Sequence, residues 1–324
     1  MRLEEVKELC DSITKTVENY FVGEVPLLNK ILCAGLANGH ILFEDYPGLG
    51  KTLLAKTFAK ATGCTWRRVQ FTPDLMPSDI IGTKVWRMNS GEFTLERGPV
   101  FTNILLADEI NRSPPKVQSA LLECMEEKQV TIEGDTHKLE APFFVMATQN
   151  PIELEGTYPL PEAQMDRFLI KLSTGYVNSL EKEYLILKRR NNWMQDDPTD
   201  LIEPVATNET FHEMQTLIER DVHIDDQILM YISDIVRKTR ENQYVEVGSS
   251  PRGGLSLSKI SKALAVVHGR DFVTPDDVKF VVQDVLAHRI ILKMEYELDR
   301  QTDTREVIKE IVEKIEPPID VVRR

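Results

Sequence analysis

The chain has 324 residues, which is enough for about two domains with a sizeable buried core. Hydrophobic residues make up 42% and charged residues 28%, the ordinary balance of a globular protein. The net charge of −13 argues against a surface built to neutralise nucleic-acid phosphates. The four cysteines form no C-x-x-C pair, the amino terminus lacks a signal-peptide core, and no apolar run reaches 18 residues. These features predict a cytoplasmic protein with reduced thiols and no membrane insertion.

Two helices are predicted before the first strand. Leu3, Val6, Leu9 and Ile13 recur at helical spacing within residues 3–20. A second apolar periodicity covers residues 25–37 and ends at the helix-stopping pair Asn38-Gly39.

The stretch 40–62 organises the rest of the chain. The apolar residues 41–43 predict a buried strand, a turn rich in glycine and proline follows, and helical periodicity then runs to residue 61. Strand, loop and helix in this order are the context of a phosphate-binding loop, in which backbone N–H groups and the helix N-terminus face the phosphates. The predicted nucleotide-binding residues are Asp45, Tyr46, Pro47, Gly48, Leu49, Gly50, Lys51, Thr52 and Leu53.

Within this loop, two side chains have predicted roles and one departs from the usual pattern. We expect Lys51 to reach the β- and γ-phosphates of ATP and the Thr52 hydroxyl to bind Mg²⁺. Asp45 stands where the full G-x-x-x-x-G-K-[ST] pattern has glycine. Its effect on the loop is left open.

Two acidic residues close the next buried strand. Residues 103–107 are mostly apolar and lead to Asp108 and Glu109, at the strand end where open α/β sheets place ligands. Asp108 is expected to hold Mg²⁺, and Glu109 to polarise the attacking water. A further predicted strand, 143–148, delivers Asn150 to the same edge, where its amide is expected to bind the γ-phosphate or orient water.

The remaining periodicities predict two hairpins and a helical carboxyl-terminal half. Further strands are predicted at residues 66–71 and 169–172, and hairpins at 84–95 and 129–139. Residues 191–208 predict a linker. The helices predicted in the second half are 180–190, 211–218, 228–239, 255–268, 275–286 and 307–315.

Taken together, these motifs resemble the signature of an AAA+ ATPase. The segments 107–116, 121–127, 147–151 and 160–168 resemble the MoxR family in particular, and the resemblance covers roughly residues 20–290. It implies an α/β fold, namely an αβα P-loop core with a parallel sheet, followed by a smaller all-helical lid. From the change in composition after residue 175 we expect the core to span 1–175, a helix and linker 176–208, and the lid 209–324; the resemblance identifies a helix-2 insert at 82–97 and a pre-sensor-1 hairpin at 129–139 within the core.

The resemblance also implies residue roles. Asn150 corresponds to sensor 1, Arg167 to an arginine finger that serves the nucleotide of a neighbouring subunit, and Arg252 to sensor 2 from the lid. Arg112 has two open interpretations, a contact at the intersubunit site or a salt bridge at the surface.

The implied function is that of an ATP- and Mg²⁺-dependent chaperone-like remodeller. The family implies a homo-oligomeric ring, commonly hexameric, which matures partner complexes together with proteins that contain a von Willebrand A domain. A DNA-acting motor with similar hairpin insertions is an alternative, although the net charge argues against nucleic acid as a partner. A nucleotide-regulated scaffold without turnover is the third hypothesis.

Overall fold

The computed structural model describes residues 1–89, 91–151, 156–299 and 303–318. The strands are β1 (Ile41–Glu44), β2 (Trp66–Gln70), β3 (Gly82–Arg87), β4 (Glu92–Arg97), β5 (Ile104–Asp108), β6 (Gln129–Ile132), β7 (Asp135–Lys138), β8 (Phe144–Gln149), β9 (Ile170–Leu172), β10 (Val245–Val247) and β11 (Ile291–Leu292). The helices are α1 (Leu3–Tyr20), α2 (Val25–Leu36), α3 (Lys51–Ala61), α4 (Pro77–Ile81), α5 (Pro115–Glu127), α6 (Glu162–Met165), α7 (Leu180–Trp193), α8 (Asn208–Asp221), α9 (Asp226–Glu241), α10 (Pro251–Val267), α11 (Pro275–Leu286), α12 (Met294–Asp299) and α13 (Thr304–Glu313).

A five-stranded parallel sheet forms the centre of the fold, in the order β2-β5-β8-β1-β9. The interior strands β1, β5 and β8 are mostly buried apolar runs because both faces of the sheet are covered there, whereas the edge strand β2 carries two exposed arginines. Since all five strands run in the same direction, the segments that follow β1, β5 and β8 meet at one edge. The sheet therefore gathers the predicted phosphate loop, the two acidic residues and Asn150 along a single crevice.

Helices cover the two faces of the sheet, as the predicted αβα arrangement requires. Alternate residues of β5 point to opposite sides: Ile104 and Leu106 belong to one hydrophobic cluster, Leu105 and Ala107 to another. The first cluster also contains apolar residues of α1, α2, α3, α8 and α10, and the second contains those of α5 and β6. The α/β core of the prediction is confirmed.

Both predicted hairpins are present. The first covers residues 82–97, longer than the predicted 84–95, and the second covers 129–138, one residue shorter than the predicted 129–139. β3 pairs antiparallel with β4, and β6 with β7. The Nζ of Lys84 lies 2.5 Å from the Oδ2 of Asp135, so an ion pair connects one hairpin to the other. Exposed aromatic side chains, Trp86 and Phe93, pack edge to face on the first hairpin with ring centroids 5.1 Å apart.

The carboxyl-terminal half is helical, with one addition to the predicted all-helical lid. β10 and β11 form a small antiparallel sheet, which sequence periodicity did not reveal because its strands have only three and two residues. The predicted helices are present, several with longer bounds. Among the described residues, no helix combines the length and apolarity that a membrane span requires.

The segment 191–208, predicted as a linker, is partly structured and attached to the core. α7 extends into it as far as Trp193, and a short 3₁₀ turn covers Thr199–Leu201. Thr199 is buried, and the backbone N–H of Val205 donates to the Ala61 carbonyl at 3.0 Å. The polar composition of residues 191–208 predicted a linker, whereas these contacts hold the segment against the end of α3.

Candidate functional site

The turn between β1 and α3 has the backbone geometry of a phosphate-binding loop. Gly48 and Gly50 have φ angles of 83° and 75°, in the left-handed region that favours glycine. α3 begins at Lys51, so the free N–H groups of its first turn face the space above the turn. This arrangement provides partial positive charge and several backbone donors for an anion.

Lys51 lies at the centre of this site. Its ammonium donates to the backbone carbonyl of Tyr46 at 2.8 Å. Partial burial lowers the pKa of Lys51, and the negative charges of Asp45, Asp108 and Glu109 oppose that lowering. A phosphate group in the same space would add further negative charge and favour the charged lysine.

A cavity of about 540 Å³ brings the predicted residues together. Its walls come from the phosphate loop, from the ends of β5 and β8, and from the polar end of β2. The predicted site residues that line it are Asp45, Pro47, Gly48, Leu49, Gly50, Lys51, Thr52, Leu53, Asp108, Glu109 and Asn150. Tyr46 takes part through its backbone carbonyl, which accepts from Lys51.

Asp108 is held between a cation and a hydroxyl. Arg68 of β2 donates to its Oδ2 through Nε at 3.2 Å and Nη2 at 2.7 Å. The hydroxyl of Thr148, on the other neighbouring strand, donates to Oδ1 at 2.6 Å. The carboxylate is therefore fixed at the crevice edge.

Glu109 has an unusual backbone conformation that turns its side chain back over β2. Its φ angle is 57°, a left-handed conformation that is uncommon for a residue other than glycine. The Glu109 Oε2 accepts from the Gln70 amide at 2.7 Å and from Arg112 Nη1 at 3.0 Å. Two donors thus orient one carboxylate oxygen. Arg112 makes this contact within its own subunit, and a contact at the intersubunit site stays a prediction.

The residues present fit a magnesium ion that is shared with bound phosphates. Thr52 and Asp108 both line the cavity and offer oxygen atoms, which Mg²⁺ prefers. Among the described residues, no group of three or more His, Cys, Asp and Glu side chains could hold a metal ion by itself. Phosphate oxygens and water would therefore complete the coordination, as is usual when Mg²⁺ enters with a nucleotide.

A second cavity of about 430 Å³ adjoins the first along the phosphate loop. The two share Gly48, Leu49, Gly50, Leu53 and Asp196 as lining residues. The rest of the second wall comes from the end of α1, the segment after β9 and one side of α7. Aromatic and aliphatic side chains contribute to it: Tyr20, Phe21, Val22, Tyr176, Ile186 and Trp193. A flat aromatic base fits such a lining, so the two cavities together match the two ends of a nucleotide.

Two of the predicted site residues, Arg167 and Arg252, line neither cavity. Arg167 precedes β9, which runs parallel to β1 with Ile170 opposite Ile41. It therefore lies near the amino end of β1, whereas the phosphate loop follows the carboxyl end. The four residues of β1 alone span about 13 Å at ~3.3 Å per residue.

The two arginines are close to each other. Arg167 Nε lies 3.1 Å from one carboxylate oxygen of Glu126, and Arg252 pairs with the other. Arg252 Nη1 also lies 3.7 Å from Asp166 Oδ2. One partly exposed patch, composed of Glu126, Asp166, Arg167 and Arg252, thus combines a core residue and a lid residue that the sequence placed 85 positions apart.

A buried arginine pairs with Asp166, one of the residues of this patch. Arg289, whose side chain is 1% exposed, donates to Asp166 Oδ1 at 2.8 Å, to the Phe168 carbonyl at 2.6 Å and to the Leu169 carbonyl at 3.1 Å. Burial lowers the pKa of Arg289 to about 10, and the Asp166 carboxylate opposes that lowering. The segment that carries Arg167 is therefore attached to the lid.

Sequence reasoning missed three side chains that contact the two acids. Arg68, Gln70 and Thr148 lie on the strands that flank β5 and touch Asp108 or Glu109. A signal for two of them was present, since Arg68 and Gln70 are polar residues at the carboxyl end of a predicted strand. The pairing of β2 with β5, which the sequence alone did not specify, was needed to interpret it.

Comparison with known proteins identifies the class to which this fold and site belong. Residues 40–170 match the family described as "ATPase family associated with various cellular activities (AAA)", and residues 237–311 match the "AAA lid domain". A crystal structure of a "putative ATPase" from Cytophaga hutchinsonii superposes with a TM-score of 0.89 at 41% identity, covering 97% of this chain and 96% of that one. The protein has the fold of an AAA+ ATPase.

Relatives in sequence narrow the assignment. The chain is 44% identical over 285 residues to Chaperone MoxR1 of Mycobacterium tuberculosis, covering 85% of this chain and 74% of that protein. It is 43% identical over 317 residues to "Uncharacterized protein YeaC" of Bacillus subtilis, covering 98% and 97%. The chain belongs to the MoxR family of AAA+ ATPases.

Proposed function

We propose that this protein hydrolyses MgATP at the crevice formed by Lys51, Asp108, Glu109 and Asn150. The observation that supports the proposal most directly is their convergence on one cavity from the carboxyl ends of three parallel strands. The adjoining cavity has aromatic and aliphatic side chains in its wall, which suit a flat adenine base. ATP and Mg²⁺ are the substrate and cofactor that this combination implies.

Each residue has a chemical role in this proposal. The α3 N-terminus and Lys51 bind the phosphates, and Thr52 and Asp108 hold Mg²⁺, which neutralises charge on the phosphate oxygens. Glu109 accepts a proton from the attacking water, while Gln70 and Arg112 keep its carboxylate in place. Asn150 orients that water or binds the γ-phosphate.

We infer that Arg167 and Arg252 act on the nucleotide of a neighbouring copy. Both guanidinium groups lie outside their own subunit's cavity, and they share one partly exposed patch. Positive charge near the γ-phosphate stabilises the transition state and is worth about 10³ to 10⁵ in rate. Hydrolysis then requires assembly, and a hexameric ring is the form we propose.

Mixed assemblies test this arrangement. Arg167→Ala removes the arginine but retains a complete crevice, and Glu109→Gln does the reverse. Each variant alone should be inactive, whereas coexpression should recover about a quarter of the wild-type sites, since only interfaces that combine the two intact halves are competent. Wild-type turnover by Arg167→Ala alone, or no recovery on mixing, would reject the assignment across subunits.

For the biological role, we propose a chaperone-like remodeller that matures or assembles partner complexes with a protein containing a von Willebrand A domain. The similarity to a relative named Chaperone MoxR1 supports the chaperone part. Glu109→Gln should retain ATP and its client together, so affinity purification with ATP should enrich both, and the Lys51→Ala variant provides the control with weakened ATP binding. ATPase stimulation by DNA with a steep salt dependence would instead favour a motor on nucleic acid.

A further inference from the structure

Asp45 occupies the position at which the phosphate-loop pattern calls for glycine, and its carboxylate is almost fully buried, at 4% exposure. The carboxylate accepts four hydrogen bonds from residues 173–175. Ser173 Oγ donates to Oδ1 at 2.6 Å and the Gly175 N–H donates to Oδ1 at 3.3 Å. The Thr174 N–H and hydroxyl donate to Oδ2 at 2.8 and 2.9 Å. A buried carboxylate with this many donors is held in a single orientation.

The conformation of the loop does not itself require glycine at this position. Gly48 and Gly50 carry the positive φ angles of the turn, and Asp45 does not have one. Its backbone N–H continues the sheet by donating to the Gln149 carbonyl at 3.2 Å. A side chain is therefore accommodated without strain, and its role must be sought in what the carboxylate contacts.

The segment that Asp45 binds connects β9 to α7 and forms part of the second cavity. Thr174, Gly175 and Tyr176 all line that cavity. Tyr46, the next residue of the loop, stacks on Tyr176 with ring centroids 6.0 Å apart and an interplanar angle of 26°. Two adjacent residues of the phosphate loop thus contact the wall at the opposite end of the nucleotide site.

We propose that Asp45 is a positioning residue that fixes the base-side wall of the nucleotide site to its phosphate loop. This inference rests on the proposed function, because it concerns how the same site holds ATP. The carboxylate determines how far residues 173–176 stand from the loop, and so sets the width of the cavity that receives the base. Asp45 contributes to the affinity for the adenosine part and leaves the phosphate contacts to Lys51 and α3.

The test measures binding of the phosphate end of the ligand separately from binding of the whole nucleotide. ATP and inorganic tripolyphosphate share the phosphates, and only ATP carries a base. Calorimetric titration of both into the wild type, Asp45→Asn and Asp45→Gly should show ATP affinity about 10-fold weaker in each variant, as expected when charge-assisted hydrogen bonds are lost. Tripolyphosphate affinity should stay within about twofold of the wild type. Asp45→Gly also restores the usual pattern, so an undiminished affinity for ATP would contradict the proposal.

Glu44→Gln is the matched control. It removes one negative charge one residue earlier, on a side chain whose carboxylate accepts from Lys171 at 2.7 Å and from the Gln149 amide at 2.6 Å. Both ligands should bind this variant as they bind the wild type. Equal losses for ATP and tripolyphosphate in Asp45→Asn would overturn the positioning role and indicate a general effect on the loop.

A second route covers the case in which the Asp45 variants unfold. The double variant Ser173→Ala, Thr174→Val removes two hydroxyl donors and retains the carboxylate, and it should weaken ATP binding with the same selectivity. An undiminished ATP affinity in this variant would overturn the inference. A wild-type protein that binds tripolyphosphate and ignores ATP would reject the proposed function itself, an outcome distinct from a failure confined to the variants.

Discussion

Arg68 holds Asp108 by two hydrogen bonds to the same carboxylate oxygen, from Nε at 3.2 Å and from Nη2 at 2.7 Å. Asp108 is also the residue that we expect to bind Mg²⁺. Under that expectation, a guanidinium and a hydrated metal ion compete for the same carboxylate. The arginine side chain is 44% exposed, and its Nη2 also donates to the Gln70 Oε1 at 2.7 Å.

Replacing Arg68 should make the site more receptive to magnesium. In Arg68→Ala, the Mg²⁺ concentration that supports half of the maximal ATP binding should fall by about two- to fivefold, because partly exposed ion pairs are worth about 0.2–1 kcal/mol. Magnesium titrations at a fixed ATP concentration measure this half-maximal Mg²⁺ concentration. A higher magnesium requirement in the variant would show instead that Arg68 assists the metal or the phosphates.

Lys51→Ala should weaken ATP binding by about 10- to 100-fold, since a hydrogen bond to a charged group contributes about 1.5–3 kcal/mol. Calorimetric titration provides the measurement. The neighbouring Lys56 is a useful control, because it also lines the cavity but its ammonium pairs with the carboxylate of Asp197, another lining residue. Lys56→Ala should change the affinity far less, and equal effects of the two substitutions would argue for a general electrostatic contribution.

Glu109→Gln should bind ATP and hydrolyse it about 10²- to 10⁴-fold more slowly, the usual loss when a general base is removed. The substitution preserves the shape of the side chain, so an affinity close to wild type is expected. Single-turnover measurements with prebound ATP separate the two quantities. Hydrolysis at the wild-type rate would assign the base to another group.

Arg289→Ala should lower the free energy of unfolding by about 3–5 kcal/mol, because it removes the buried half of the ion pair with Asp166 and leaves the Phe168 and Leu169 carbonyls without their arginine donor. Denaturant unfolding followed by circular dichroism measures this change. Arg305→Ala is the control, since Arg305 is also a carboxylate-bound arginine but is 38% exposed. A smaller loss for Arg289→Ala than for Arg305→Ala would contradict the structural role.

Acid should destabilise the protein through His40. This side chain is buried, and its Nδ1 accepts from the Val145 N–H while its Nε2 donates to the Met125 carbonyl. Burial lowers the pKa of His40 from 6.5 to about 4, so the unfolded chain binds the proton first as the pH falls. Stability is fully present above pH 6.5 and is lost as the pH falls toward 4, by on the order of 3 kcal/mol from this group.

The pH dependence of unfolding checks this expectation. His40→Asn is less stable near neutral pH but should have a shallower slope between pH 6.5 and 4. His288, whose pKa burial also lowers, remains in both proteins and contributes equally to their curves. Parallel curves for the wild type and His40→Asn would show that His40 titrates as it does in the unfolded chain.

Much of the fold was accessible from the sequence because its signals are local. The phosphate loop, the two acids after β5 and the buried strands depend on short runs of residue types with strict conformational requirements. The chain divisions at residues 175 and 209 stay predictions. The role of Asn150 also stays a prediction, although the residue does line the cavity.

The remaining features depend on contacts between distant segments, for which the sequence carries no local signal. The pairing of β2 with β5 brings Arg68 to Asp108, and the position of the lid brings Arg252 to Arg167. Asp45 departs from the glycine of the loop pattern, and its carboxylate accepts four hydrogen bonds from residues 173–175, which lie far away in sequence. β10 and β11 were missed because strands of three and two residues have no periodicity to detect.

The distance between Arg167 and the phosphate loop gives the molecule a polarity. Under the proposed function, one end of the sheet receives ATP and the other donates the arginines, so a head-to-tail interface between two copies completes one site. A twofold symmetric pair has a single interface, at which each copy's arginines would have to reach the other copy's phosphate loop at the same time. An open row of copies would always leave one terminal site without its arginines, and closure of the row is the arrangement in which every bound nucleotide can react.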